Sequence, residues 1–203
     1  MIIGVYTIPT LVTYLGLICS FSSCILAMNK RFDIAVILFI LAGLFDLFDG
    51  VVARKLNKTE KEEQFGIQID TVIDVFSFGV TPIIIAINMG LNTVLDYAIL
   101  GIYLATATMR LAYFNYLMLQ KNDDEPIKYY TGLPVTYSAL ILNITYLFMN
   151  ILNSNFIIVL RLVYVFIALL YILKVKIAKP KGIWYVIFSL LAVVVSIFSL
   201  ILL

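Results

Sequence analysis

Four aspartates stand at helical spacing inside otherwise apolar sequence, Asp46 and Asp49 at i,i+3 and Asp70 and Asp74 at i,i+4. Either spacing stacks two side chains on one helix face, about 5–6 Å apart at the Cβ atoms. A carboxylate near hydrocarbon costs several kcal/mol unless it is paired, hydrated or metal-bound, so four together call for cations. All-oxygen ligation selects magnesium or manganese over zinc or copper. Four carboxylates could hold two such ions, the arrangement that clamps both sides of a phosphoryl displacement. Gly50 lets a ligand approach the backbone beside Asp49, and Arg54, one helical turn on, offers a planar fork suited to phosphate oxygens. The competing interpretation is a structural polar network, or acids solvated at an interface.

The elements that must carry these residues are membrane helices. The chain has 203 residues, 63% hydrophobic and 13% charged, a composition that suits a polytopic membrane protein and no soluble domain of this length. Apolar runs near 11–27, 34–53, 67–89, 94–119, 133–152, 156–175 and 183–203 predict an all-α integral membrane bundle of about seven helices (six to eight), one domain over residues 1–203. The first aspartate pair ends the second run and the other begins the third, so antiparallel neighbours bring both pairs to one depth. With seven spans, Arg54, Lys55, Lys58, Lys61, Lys121, Lys128, Lys174, Lys176, Lys179 and Lys181 fall on one side and only Lys30 and Arg31 on the other. The positive-inside rule then puts the N-terminus and the aspartates at the cytoplasmic face of the cell membrane.

Other features bound the chemistry. The sequence has no histidine, which excludes Ser-His-Asp and Cys-His catalysis and imidazole-ligated zinc or haem. A net charge of +2, with basic residues confined to short loops, argues against nucleic acid as a partner. Cys19 and Cys24 fall in the first apolar run and read as small hydrophobes. No basic n-region or small-residue cleavage site suggests a signal peptide. The stretch Thr59–Glu63, with Lys58 and Glu62 at i,i+4, predicts a solvated helical extension. Thr93 and Asp96 predict a capping box. Arg161 reads as snorkelling, and Tyr129, Tyr130, Trp184 and Tyr185 read as interfacial anchors.

The run Asp46-x-x-Asp49-Gly50-x-x-Ala53-Arg54…Gly66-x-x-x-Asp70-x-x-x-Asp74 resembles the signature of the CDP-alcohol phosphatidyltransferases. The eleven residues between Arg54 and Gly66 exceed the family's usual interval, which predicts a longer cytoplasmic bulge. Asp74-Val-Phe-Ser77-Phe78-Gly79-Val-Thr-Pro82, Met109-Arg110-Leu-Ala-Tyr113-Phe-Asn115 and Gly132-Leu-Pro134 resemble stretches of that family's phosphatidylserine synthase branch. Tyr113 stands where the branch has a second arginine, and Thr136 where it has a proline. Pro9-Thr-Leu-Val-Thr13 resembles the family's Pro-Asn-x-x-Thr start of the first helix.

The resemblance implies a magnesium- or manganese-dependent phospholipid-synthesising transferase. It would move a phosphatidyl or archaetidyl group from a CDP-diacylglycerol-type lipid to L-serine, release CMP and work as a homodimer. It implies Asp46, Asp49, Asp70 and Asp74 as ligands of two divalent ions, with Asp74 also the catalytic base for the serine hydroxyl. Asp49, Gly50, Ala53, Arg54, Gly66 and Asp70 would bind the CDP moiety. An arginine amid an apolar helix is functional by default, so Arg110 is the candidate for the serine carboxylate or the transferring phosphate, with Ser77 and Asn115 beside it. The alternative within the family takes glycerol 3-phosphate or an inositol phosphate as acceptor. The alternative from another class is a small cation transporter.

Overall fold

The computed structural model describes residues 3–57, 59–119, 129–178 and 182–203, some of them as backbone alone. The side chains of Arg54, Tyr129, Tyr130 and Trp184 therefore lie outside the described residues, as do Lys58, Lys121, Lys128, Lys179 and Lys181. The helices are α1 (Ile8–Met28), α2 (Phe32–Lys55), α3 (Glu60–Asp74), α4 (Thr81–Met89), α5 (Val94–Leu119), α6 (Val135–Leu147), α7 (Met149–Leu152), α8 (Phe156–Ile172) and α9 (Ile183–Leu202). A π-helical turn, Val75–Val80, fuses α3 to α4.

Among the described residues, six stretches are long and apolar enough to cross a membrane, and Val135–Leu147 is a shorter apolar helix. The chain is an all-α polytopic membrane protein. The run expected over 133–152 departs most from expectation, because Phe148 interrupts it. At 1.5 Å per residue α6 covers about 20 Å, less than the hydrocarbon core. Asn150 Nδ2 donates to the Leu202 carbonyl at 2.7 Å, so α6 and α7 together reach the bundle end remote from the aspartates.

The cap expected at Thr93 is present, and a capping box that the charged stretch did not announce starts α3. Thr59 and Glu62 form a capping box that starts α3 seven residues ahead of the apolar run, which is the solvated extension the charged stretch predicts. Thr93 N and Oγ1 donate to Asp96 Oδ2 at 2.9 and 2.7 Å. Arg161 does not snorkel: its Nε donates to Asp96 Oδ1 at 2.6 Å, because Asp96 is fully buried and a buried carboxylate is stabilised by a paired cation.

The core runs from Ala27 to Val195, and its polar centre supports the π-turn. Pro82 has no N–H, so the Phe78 carbonyl loses its α-helical partner. Tyr103 Oη donates to that carbonyl at 2.6 Å. Tyr164 Oη and Tyr146 Oη donate to the Pro82 carbonyl at 2.6 and 3.2 Å. Thr81 closes the turn from the other side, donating to the Phe76 carbonyl through both N–H and Oγ1.

Two three-residue strands fall in connections read as plain loops, β1 (Tyr129–Thr131) and β2 (Lys176–Ala178), and pair antiparallel. Gly132 N then donates to Val175 O at 2.8 Å, and Leu133 N to Leu170 O at 3.2 Å. Gly132 has φ +78°, and a Cβ there would lie 3.1 Å from the Tyr171 carbonyl, so glycine is required. Gly132–Pro134 thus ties the start of α6 to the end of α8.

Candidate active site

Antiparallel packing of α2 and α3 brings the two aspartate pairs together. Oxygens of Asp46, Asp49 and Asp70 lie within 4.8 Å of one another, and the Asp46 and Asp74 carboxyl groups meet within hydrogen-bonding reach. Asp49 and Asp74 are buried, Asp46 and Asp70 half-buried. All four line one cavity of about 230 Å³. Like charges this close in a low-dielectric setting repel strongly, and a hard cation removes the repulsion while using every donor. The residues therefore fit a divalent ion.

Two threonines aim these carboxylates. Thr13 Oγ1, on α1, donates to Asp49 Oδ2 at 2.7 Å, and Thr136 Oγ1, in the first turn of α6, donates to Asp46 Oδ2 at 2.7 Å. A donor that occupies one oxygen leaves the other oriented, as partners behind metal ligands do. The sequence offers only weak signals for them. Thr13 closes the Pro9–Thr13 motif, and Thr136 is a departure from the branch pattern.

The cavity's remaining walls come from α3, α5 and α6. Arg110 is 8% exposed, sits 5.2 Å from the centre of the Phe114 ring, and is the one cation lining the cavity among the described residues. Asn115 Nδ2 donates to Thr71 Oγ1 at 2.8 Å, and both line the cavity. Tyr137 and Tyr185 stand at its rim. Ser77 is not brought in: it is buried inside the π-turn and lines neither this cavity nor the next. An α-helical register would stack Ser77 on Asp74 at i,i+3, and i→i+5 bonding shifts it off that face.

A second cavity, about 590 Å³, adjoins the first and shares Asp49, Gly50 and Asp70 with it. Ala53 and Gly66 line it. A Cβ at Gly66 would meet nothing within 4 Å, so the glycine leaves room for a ligand and is not demanded by packing. Thr7, Pro9 and Thr10 open onto the same space, so the N-terminus of α1 adds a pole that favours anions. An acidic, cation-ready compartment thus borders a larger one, which Glu62 and Glu63 also line and which opens at the N-terminus of α1.

Comparison with known proteins gives this arrangement a family. Residues 6–172 match the CDP-alcohol phosphatidyltransferase family. The chain belongs to that family. The chain is 39% identical over 113 residues to CDP-diacylglycerol–serine O-phosphatidyltransferase of Saccharomyces cerevisiae, covering 53% of the chain and 40% of that relative. It is 31% identical over 155 residues to archaetidylserine synthase of Methanothermobacter thermautotrophicus, covering 75% and 64%. Against CDP-diacylglycerol–serine O-phosphatidyltransferase of Bacillus subtilis it is 30% identical over 151 residues, covering 68% and 76%. The chain spans 40% and 64% of the length of the first two of these curated relatives.

Proposed function

We propose that this chain transfers a phosphatidyl-type group from a CDP-activated diradyl lipid to L-serine and releases CMP. The carrying observation is the gathering of Asp46, Asp49, Asp70 and Asp74 around one cavity that opens past Gly50 into a larger one. The names of the relatives supply the acceptor: two act on serine with CDP-diacylglycerol, and the third is an archaetidylserine synthase. Arg110, as the single lining cation among the described residues, matches one carboxylate better than the dianionic phosphate of glycerol 3-phosphate or an inositol phosphate.

In this reading Asp46, Asp49, Asp70 and Asp74 hold two magnesium or manganese ions, which when bound neutralise the pyrophosphate and stabilise the departing CMP. Gly50, Ala53, Arg54 and Gly66 cradle the CDP moiety. Asp74 accepts the proton of the serine hydroxyl, whose oxygen attacks the lipid-bearing phosphorus. The bond from that phosphorus to the oxygen of CMP breaks, and CMP leaves with the electron pair. Arg110 orients the serine carboxylate or the transferring phosphate, Asn115 lines the acceptor side, and Ser77 has no contact role. Residues 1–203 act as one catalytic domain, a reading that the continuous core supports. The basic loops favour an enzyme of the cell membrane with its site facing the cytoplasm, working as a homodimer.

The transporter reading needs ionisable groups leading away from the aspartates. At the remote end Asp96 pairs with Arg161 and Arg31 with Asp33, while Lys30 Nζ donates to the Asn88 carbonyl. CMP release measured across acceptors tests the proposal. Turnover with serine is expected, and turnover with glycerol 3-phosphate but not serine would overturn the acceptor.

A further inference from the structure

A phosphatidyl-type donor fixes its phosphate at the aspartates and must still send its hydrocarbon chains into the bilayer. The aspartate cavity has an apolar continuation that meets this need. Leu47, Thr136 and Tyr137 border the cavity and also line a throat of about 40 Å³ between α2, α6 and α9. Gly43 and Ala139 face each other in the throat wall, where a Cβ at Gly43 would lie in ordinary contact with Ala139 Cβ at 3.6 Å. Leu44 and Ala192 pass the throat on to a groove of about 320 Å³ between α2 and α9, walled by Ile37, Leu41, Val193, Ser196, Ile197 and Leu200. From Leu47 to Ile37 the path follows α2 for about 15 Å.

The helix that forms the outer wall lies beyond the stretch matched to the family. The family match ends at residue 172, and α9 begins at Ile183. It is held at one end by Ser199 Oγ, which donates to the Asp33 carbonyl at 2.6 Å, and towards the other by Phe188, 5.3 Å from the Tyr137 ring. Between these two attachments the groove lies open. Its lining is almost wholly apolar, and the Ser196 hydroxyl is turned back onto its own helix at Ala192 O, 2.8 Å away.

We propose that this path holds one hydrocarbon chain of the CDP-activated donor, so that α9 makes the enzyme selective for chain length. The inference rests on the transferase reading above. Its support is the unbroken run of shared lining residues from the aspartates to the groove, which neither a bulk lipid nor a second copy of the chain would require.

The test compares kcat/KM for CMP release from two donors with the same headgroup, one with long chains and one with chains ending inside the throat. The unmodified protein prefers the long donor. Ser196→Phe and Val193→Phe, both at the lipid-facing groove, lower that preference several-fold, because the ring takes the packing contacts that the chain makes there. Leu191→Phe, exposed on α9 and turned about 160° from Val193 at about 100° per residue, leaves the preference as it was. The proposal is overturned if the preference survives both groove variants, if Leu191→Phe lowers it equally, or if the unmodified enzyme turns over both donors alike. It is also overturned if the groove variants split a dimer without changing preference, which makes the groove an interface. Absence of CMP release from either donor removes the transferase reading itself.

Discussion

Thr136→Val isolates the aiming of Asp46 with little change of shape. The substitution keeps volume and β-branching but removes the hydroxyl that donates to Asp46 Oδ2 at 2.7 Å. A hydrogen bond to a charged group contributes about 1.5–3 kcal/mol, and partners behind metal ligands affect affinity roughly 10–100-fold. Asp46 is half-buried, so water replaces part of the lost bond and the lower end applies. The concentration of magnesium giving half-maximal CMP release should therefore rise about tenfold, while kcat at saturating magnesium stays within about threefold. The magnesium-dependent rise in melting temperature should shift to higher concentration in parallel, and Thr136→Ser should restore both. An unchanged metal requirement, or a Ser variant as impaired as Val, would refute a positioning role for this hydroxyl.

Asp74→Asn should abolish CMP release by at least about 10³-fold in a protein that still folds, since it removes a base and a ligand together; residual turnover near the unmodified level excludes Asp74 as base. Arg161→Ala leaves Asp96 buried and charged, and should cost about 3 kcal/mol of stability in a melting experiment while activity per folded molecule is kept. Asp96→Asn should be milder in the same assay. Tyr103→Phe orphans the buried Phe78 carbonyl and should cost about 2 kcal/mol, read as a lower melting temperature in detergent.

What was legible in the sequence was local. The aspartate pairs, the capping box at Thr93 and Asp96 and most of the long apolar runs each depend on spacing within one helix, and each lies where spacing puts it. What was hidden depends on partners far along the chain. Thr136 lies 90 residues from the Asp46 oxygen it serves, and Arg161 lies 65 from Asp96. No periodicity connects such positions. The π-turn escaped for another reason. Val75–Val80 has an ordinary apolar composition, and the partners of its altered carbonyl pattern include Tyr103 from α5, while Tyr146 of α6 and Tyr164 of α8 serve the Pro82 carbonyl just beyond it. Ser77, inside that turn, lines neither cavity for the same reason. The interruption at Phe148 was invisible because both sides of it are apolar.

The aiming of Asp46 by α6 also sets an order of assembly. Synthesis has delivered all four aspartates by residue 74, yet the hydroxyl that orients the first of them arrives only at residue 136. A nascent chain with three membrane helices inserted thus carries the acids without the completed site. The helix that carries this hydroxyl is in turn tied at its start to the end of α8 through β1–β2 and Gly132, so the geometry at the first aspartate rests on chain that extends to residue 178.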